Sequence, residues 1–421
     1  LPILSNIFTK SQEDRQSMTP FLQLVFSIAV ILLAAKLAGY LSTKLGQPAV
    51  LGELLVGVIL GPSLIDLGHL PFITDSHTIE IVAELGELGV LLLMFLAGLE
   101  LHLSDLAKNT RVSAYAGILG VLLPVGLGFL IGELFGLDLD SSVFFGLTLG
   151  ATSVSISAQT LMELKVLRSR VGLGLLGSAV FDDVLVILLL SIFVALSGGG
   201  SSLEILLVFG KMILFLGLSM AFGLWALPYL ARKASRLPVS QNVLTFGIVI
   251  LLIYGLAAEV LGGIAAITGT FIAGLMFART PEKSELETGL RALSYSFFVP
   301  IFFVSIGLGI NVRELDLSAL WLMVVSSIFA ILGKILGAGA GAKMAKFSWR
   351  ESLQLGIGMV SRGEVGLIVA TIGLNGGFLT PAAFSAVLGM VLITTLVTPI
   401  LLRASFKTKP PRQPAISESG T

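Results

Sequence analysis

Cysteine is absent from this 421-residue chain, and charged residues make up only 12% of it. Without cysteine there are no disulfides, no thiolate metal sites and no thiol nucleophiles. A charged fraction that low, against about 25% in an ordinary soluble domain, leaves little polar surface for a water-facing fold. The 26 basic and 26 acidic residues balance, so bulk charge gives no bias toward nucleic acid. What fills the chain instead is apolar: 55% of residues are hydrophobic, 48 are glycine, and the mean hydropathy is +0.99. These values describe an all-α protein that crosses a membrane many times, with small residues letting helices approach closely in lipid.

Apolar stretches of the roughly 17 to 25 residues needed to cross a bilayer predict thirteen helices. They fall near 21–41, 49–65, 78–99, 112–135, 142–163, 171–196, 203–230, 241–260, 262–277, 295–310, 319–342, 353–374 and 381–402. Cytoplasmic loops should hold the Lys and Arg residues. Alternate loops and the tail carry nineteen of them, among them Lys44, Arg111, Arg170, Arg236, Arg291 and Arg350, whereas the opposite side has only Lys10, Arg15 and Arg313. The other four, Lys36, Lys211, Lys334 and Arg362, fall within spans. This alternation puts the N-terminus outside and the C-terminus in the cytoplasm. The domain reading is an extracytoplasmic segment over 1–20, too polar for a signal peptide, then a membrane domain over 21–403. A short polar, proline-rich tail over 404–421 is expected to be disordered, with no soluble regulatory domain behind it.

Two spans break their apolar pattern in mid-membrane. The fifth reads LGATSVSISAQT (149–160) and the twelfth GMVSRGEVGLIVA (358–370). Each is the fifth of six if the chain divides into six helices, a linker helix over about 203–230, and six more. Halves that start seven helices apart run in opposite directions, which makes the division an inverted repeat. Gly52 and Gly57 in the second span share a five-residue spacing with Gly269 and Gly274 in the ninth, and GLEL (98–101) in the third stands where the tenth has GLGI (307–310). Interruptions at matching places in inverted halves are the sequence mark of a transporter's ion site. A blander reading has Thr152, Ser153, Ser155 and Ser157 bonding back to carbonyls one turn earlier. Arg362 and Glu364, two residues apart, point to different sides of a helix. Besides a structural ion pair, the sequence allows each to offset the dipole of a half-helix end.

Asp182 and Asp183 stand side by side in the apolar run VGLGLLGSAVFDDVLVILLLSIFVAL (171–196). A charge at the bilayer centre costs about 3 kcal/mol or more unless it is paired or hydrated, so such residues mark ion or proton pathways. Asp182 lies roughly 16 Å from the cytoplasmic end of its helix and Lys334 roughly 12 Å from the end of its own, a difference a lysine side chain spans. Thr152, Arg362 and Glu364 fall near the same level. Neighbouring helix positions differ by about 100°, so one aspartate faces Lys334 while the other faces a water-filled cavity and exchanges a proton for a cation. Apparent pKa values there belong to the cluster. Carboxylate, hydroxyl and carbonyl oxygens are the ligands that hard alkali cations prefer. The alternative role for Asp182, Asp183 and Lys334 is a buried tether.

The strings AVFDDVL (179–185), AILGKILG (330–337), SRGEVGLIVA (361–370), ATSVSISA (151–158), QPAVLGELLVGVILGP (47–62) and FLAGLEL (95–101) resemble bacterial sodium/proton antiporters of the second cation:proton antiporter family, of NapA type. The similarity runs from about residue 21 to 403. It implies the antiporter fold with two crossed discontinuous helices, in a homodimer whose core (about 112–196 and 319–403) slides like an elevator against dimerisation helices (about 21–99 and 241–310). It implies Asp183 as the principal cation and proton carrier, Asp182 paired with the proton-coupling Lys334, and Thr152 and Ser153 at the break of the fifth span. Arg362 and Glu364 would compensate the half-helices. The implied activity is electrogenic Na+/H+ exchange without a cofactor, with Li+ or K+ as further cargo and K+/H+ exchange as the alternative, in a prokaryotic plasma membrane or, alternatively, an internal energy-transducing membrane. Lipids and a second copy are the partners expected, and nucleic acid is not. The KefC-type potassium-efflux branch is similar too, but usually has Gln-Asp at the paired position and a nucleotide-binding domain.

The remaining signals are weaker. GAGAGA (337–342) follows no strand, so it reads as close packing rather than a phosphate loop, and the GxxxG of Gly57 and Gly61 reads the same way. His69, His77 and His102 read as solvated loop residues rather than pH sensors, and Lys211 either snorkels to the interface or pairs across domains. An intramembrane aspartyl protease needs two aspartates facing each other across the scissile bond, which neighbours on one helix do not provide. A sodium-coupled symporter needs a larger polar-lined pocket, and a channel needs a filter or charge rings. The sequence therefore points away from an enzyme and toward an ion carrier.

Overall fold

The structure, a computed structural model, describes residues 18–71, 73–74, 77–101, 109–198, 202–309 and 317–406. The N-terminal segment before residue 18, His102, Lys108, Arg313 and the tail from residue 407 lie outside the described residues. Among the described residues the protein is all-helical and multi-pass: ten helices are long and apolar enough to cross a membrane, and Ala49–Leu60, Ala266–Phe277 and Val365–Leu374 are shorter apolar helices.

The chain begins with α1 (Pro20–Lys44), where the Thr19 hydroxyl accepts from the Leu22 N–H and proline occupies the first turn. Helix α2 (Ala49–Leu60) stops five residues short of the predicted 65, because Gly61 precedes Pro62 and the proline ring disfavours a helical residue before it. Then come α3 (His77–Leu99) and α4 (Thr110–Leu134). The fifth span is two helices, α5 (Leu139–Gly150) and α6 (Val154–Glu163), with Ala151 and Ser153 extended between them. Helices α7 (Arg170–Gly198) and α8 (Ser202–Ser235) follow, α8 running beyond the predicted 230. Helix α9 (Asn242–Ala257) ends in a π-turn at Ala258–Gly262 and leads to α10 (Ala266–Phe277).

The tenth span starts earlier than predicted, as the amphipathic α11 (Lys283–Leu293), and continues through a π-turn at Ser294–Phe298 into α12 (Val299–Leu308). Pro300 there has no N–H to donate to the preceding turn, which is where the helix widens. Helix α13 (Leu317–Met344) precedes the second broken span, α14 (Trp349–Gly358) and α15 (Glu364–Asn375). A capping box, Ser348 with Glu351, starts α14. The last helix, α16 (Pro381–Phe406), takes in residues 404–406, which the sequence reading gave to the tail.

Helices α4 to α7 and α13 to α16 pack chiefly on one another, as do α1 to α3 and α9 to α12; α8 touches α7 on one side and α9 and α10 on the other. Small residues make these contacts close. In the GAGAGA run, a Cβ at Gly337 or Gly341 would meet the carbonyl of Leu119 or Tyr115 on α4, so the run serves packing. Gly57 of α2 lies against the Val304 carbonyl and Gly307 of α12, while Gly274 of α10 lies against the Phe95 carbonyl and Leu99 of α3. The basic loops gather at one face: Arg170 reaches Glu351 at 3.5 Å, Arg350 donates to the Ser405 carbonyl at 3.3 Å, and Arg291 pairs with Glu100. His69 and His77 are exposed, in contact with Asp66 and Glu80, and Lys211 is exposed on α8.

Candidate functional site

The two interruptions meet. Hydroxyl-rich sequence favours leaving the helix, because Ser and Thr side chains compete for backbone partners, and in lipid the freed groups must find partners inside the protein. The Ser153 N–H donates to the Ser361 carbonyl at 2.8 Å, and the Ser361 hydroxyl returns a bond to the Ser153 carbonyl at 2.5 Å. Ser157 donates to the Gly358 carbonyl at 2.5 Å. A Cβ on Gly363 would sit 2.9 Å from the Ser153 hydroxyl, so a side chain there would displace Ser153.

Arg362 is fully buried at the crossing. It donates to the Val360 carbonyl at 2.5 Å and to the Leu149 carbonyl at 2.7 Å. Leu149 lies in the last turn of α5, and Val360 just past the end of α14, so one guanidinium serves the negative ends of both half-helices. Thr395 of α16 donates to the Arg362 carbonyl. Glu364 opens α15, and its side chain lies outside the described part of the structure.

Next to the crossing, Lys334 of α13 donates to Asp182 Oδ1 at 2.7 Å, with both residues fully buried. The Thr152 hydroxyl, from the break in the fifth span, donates to the same oxygen at 2.9 Å. Asp182 Oδ2 and Arg362 Nε are buried without hydrogen-bond partners among the described residues. Asp183 points elsewhere, into a space of about 10 Å3 lined by Met94, Val154, Leu176, Ala179, Thr268 and Phe271. Thr268 donates to Asp183 Oδ2. Six of the seven sequence-derived residues thus come together: Asp182, Asp183, Lys334 and Thr152 around the carboxylates, and Ser153 and Arg362 at the crossing beside them.

The sequence reading missed Thr268. Its only signal is that Thr268 and Thr270 are the polar residues of the otherwise apolar α10. Toward the basic face a cavity of about 530 Å3 opens between the helix groups, lined by Lys36, Glu53, Gln159, Glu163, Tyr295 and Arg403 among others. There Glu163, at the end of α6, accepts from the Ala49 N–H at the start of α2 at 2.7 Å, and Lys36 donates to the Tyr295 carbonyl at 2.8 Å.

Removing one partner of a buried ion pair leaves the other charge uncompensated, at a cost of about 3–5 kcal/mol. Lys334→Ala should therefore lower the thermal unfolding midpoint of the purified protein markedly, and adding Asp182→Leu should recover part of the loss. An unchanged midpoint in Lys334→Ala would mean that the pair does not hold the fold.

Residues 9–408 match the family model described as sodium/hydrogen exchanger, transmembrane. The chain is 39% identical over 384 residues to the Na(+)/H(+)-K(+) antiporter GerN of Bacillus cereus, covering 91% of this chain and 96% of that one. It is 36% identical to the Na(+)/H(+) antiporter of Enterococcus hirae, covering 89% and 96%. The solved structure of the sodium proton antiporter MjNhaP1 from Methanocaldococcus jannaschii at pH 8 is similar in fold, with a TM-score of 0.66 at 19% identity over 92% of this chain and 97% of that one. With a match that spans nearly its whole length, the chain belongs to the transmembrane sodium/hydrogen exchanger family, whose members are transporters and not enzymes.

Proposed function

We propose that this protein exchanges a monovalent cation, sodium in preference to potassium, for protons by elevator-type alternating access. The observation that carries the reading is the buried Asp182–Lys334 pair with Asp183 beside it, set where two broken helices cross. Two carboxylates and a lysine in an apolar surround make a site where cation and protons compete for the same oxygens. Asp183 is the carrier in this account, Asp182 and Lys334 form the coupling pair, and Thr152 and Ser153 supply hydroxyl and backbone groups at the break. Arg362 and Glu364 compensate the half-helices.

The helices α4 to α7 and α13 to α16 correspond to a moving core, and α1 to α3 with α9 to α12 to a dimerisation unit through which two copies associate. The glycine contacts support the inverted repeat. Gly57 meeting the carbonyl three residues before Gly307 mirrors Gly274 meeting the carbonyl three residues before Gly98, as the alignment of the second span with the ninth and the third with the tenth requires. Thirteen spans with the basic face in the cytoplasm follow from the positive-inside rule, and the bacterial relatives favour the plasma membrane. The Bacillus cereus relative is named as an antiporter of potassium as well as sodium, which makes K+ the second cation to test. A sodium-coupled symporter would need a polar pocket at the carboxylates, and the space beside Asp183 is small and mostly apolar.

Purified protein in liposomes should move protons when sodium is added, and Asp183→Asn should abolish this while remaining folded. No cation-dependent proton movement between mildly acidic and alkaline pH would refute the exchange reading, and near wild-type transport by Asp183→Asn would remove that residue from the mechanism. The exchange should also be electrogenic. Cation entry that opens the ion pair lets Lys334 and Asp183 each release a proton, two against one monovalent ion, so voltage contributes about 2.3 kcal/mol per net charge per 100 mV. A reversal point that does not move with imposed potential would establish one-for-one exchange instead.

A further inference from the structure

Thr268 stands on α10, in the helix group that packs with α3, yet its hydroxyl donates to Asp183 on α7 in the other group. The contact is closed off: Thr268 is 4% exposed and Asp183 5%. The space beside it, about 10 Å3, is at the lower limit for one water molecule, so a hydrated cation does not fit there. The collar is otherwise apolar, from Met94, Val154, Leu176, Ala179, Ile267 and Phe271.

We propose that Thr268 is a positioning residue that caps the unloaded Asp183 carboxylate and competes with the cargo cation for it. The proposal rests on Asp183 being the carrier. A hydroxyl has one proton to donate, and here that proton is committed to Oδ2, one of the two oxygens that a bound cation would draw on. A bond to a charged acceptor is stronger than one between neutral groups, so the hydroxyl holds the carboxylate most firmly when it is ionised and empty. Once a cation or a proton takes the oxygen, that attraction is lost.

The consequence bears on coupling. An obligate exchanger must keep its empty carrier from crossing, because a return without cargo turns exchange into leak. Thr268 and Asp183 belong to different helix groups, so any displacement of one group past the other breaks their bond. The hydroxyl therefore ties down the empty carrier and releases it on loading.

Sodium uptake into proteoliposomes, measured as initial rate against sodium concentration, tests the proposal in Thr268→Val, Thr268→Ala and Thr268→Ser. Removing the hydroxyl should lower the KM for sodium by about three- to tenfold, and should raise sodium uptake not matched by proton efflux. Thr268→Ser, which keeps the hydroxyl, should retain the wild-type KM and coupling. Thr268→Ala serves if Thr268→Val does not fold, as judged by its melting temperature. An unchanged KM in the folded hydroxyl-free variants overturns the proposal. A raised KM also overturns it, since the hydroxyl would then be a cation ligand, and so does a folded but inactive variant, since a competitor is dispensable. Failure of the carrier reading itself is read separately, from transport by Asp183→Asn.

Discussion

A helix that breaks inside lipid exposes N–H and C=O groups at both new ends, and hydrocarbon offers them nothing to bond. That constraint organises the centre of this protein. The two breaks satisfy one another through reciprocal bonds between Ser153 and Ser361, and Arg362 supplies positive charge to carbonyls at the ends of α5 and α14. A single arginine for two negative helix ends leaves Lys334 available for Asp182. Gly363, lacking a side chain, leaves room for the Ser153 side chain at the crossing.

The ion pair is built on that crossing. Thr152 is at the break, so its hydroxyl reaches Asp182 only because the fifth span stops being helical there. Asp183, one residue on, turns away from the lysine toward α10. The two aspartates therefore have different neighbours although they share a backbone: one is held by a cation and a hydroxyl in its own helix group, the other by a hydroxyl from the facing group. In the proposed elevator motion a carboxylate at such a boundary would change its surroundings, whereas the pair behind it would travel unchanged.

Much of this was legible in the sequence because charge in an apolar span is costly and therefore conspicuous. Asp182, Asp183, Lys334 and Arg362 stand out on that ground alone, and the hydroxyl run at 152–157 and the polar SRGE at 361–364 mark the breaks. The glycine spacings told of helix pairing, although not which helices would pair. Thr268 carried no such signal, since one hydroxyl in a span is cheap and common. The carbonyl partners of Arg362 depend on how two helices cross, which no local pattern encodes. Helix ends went astray where the determinant was not hydropathy: Gly61 before Pro62 ended α2 early, and the polar, amphipathic 283–293 extended the tenth span.

The proposed exchange requires cation and proton to compete for one carboxylate in mid-membrane. Proton release on sodium addition to the purified protein, in weakly buffered detergent solution without any gradient, tests it without relying on transport. Sodium should release protons saturably from the wild type and release none from Asp183→Asn. A wild type that binds sodium without releasing protons, or an Asp183→Asn variant that releases them equally, would contradict the claim.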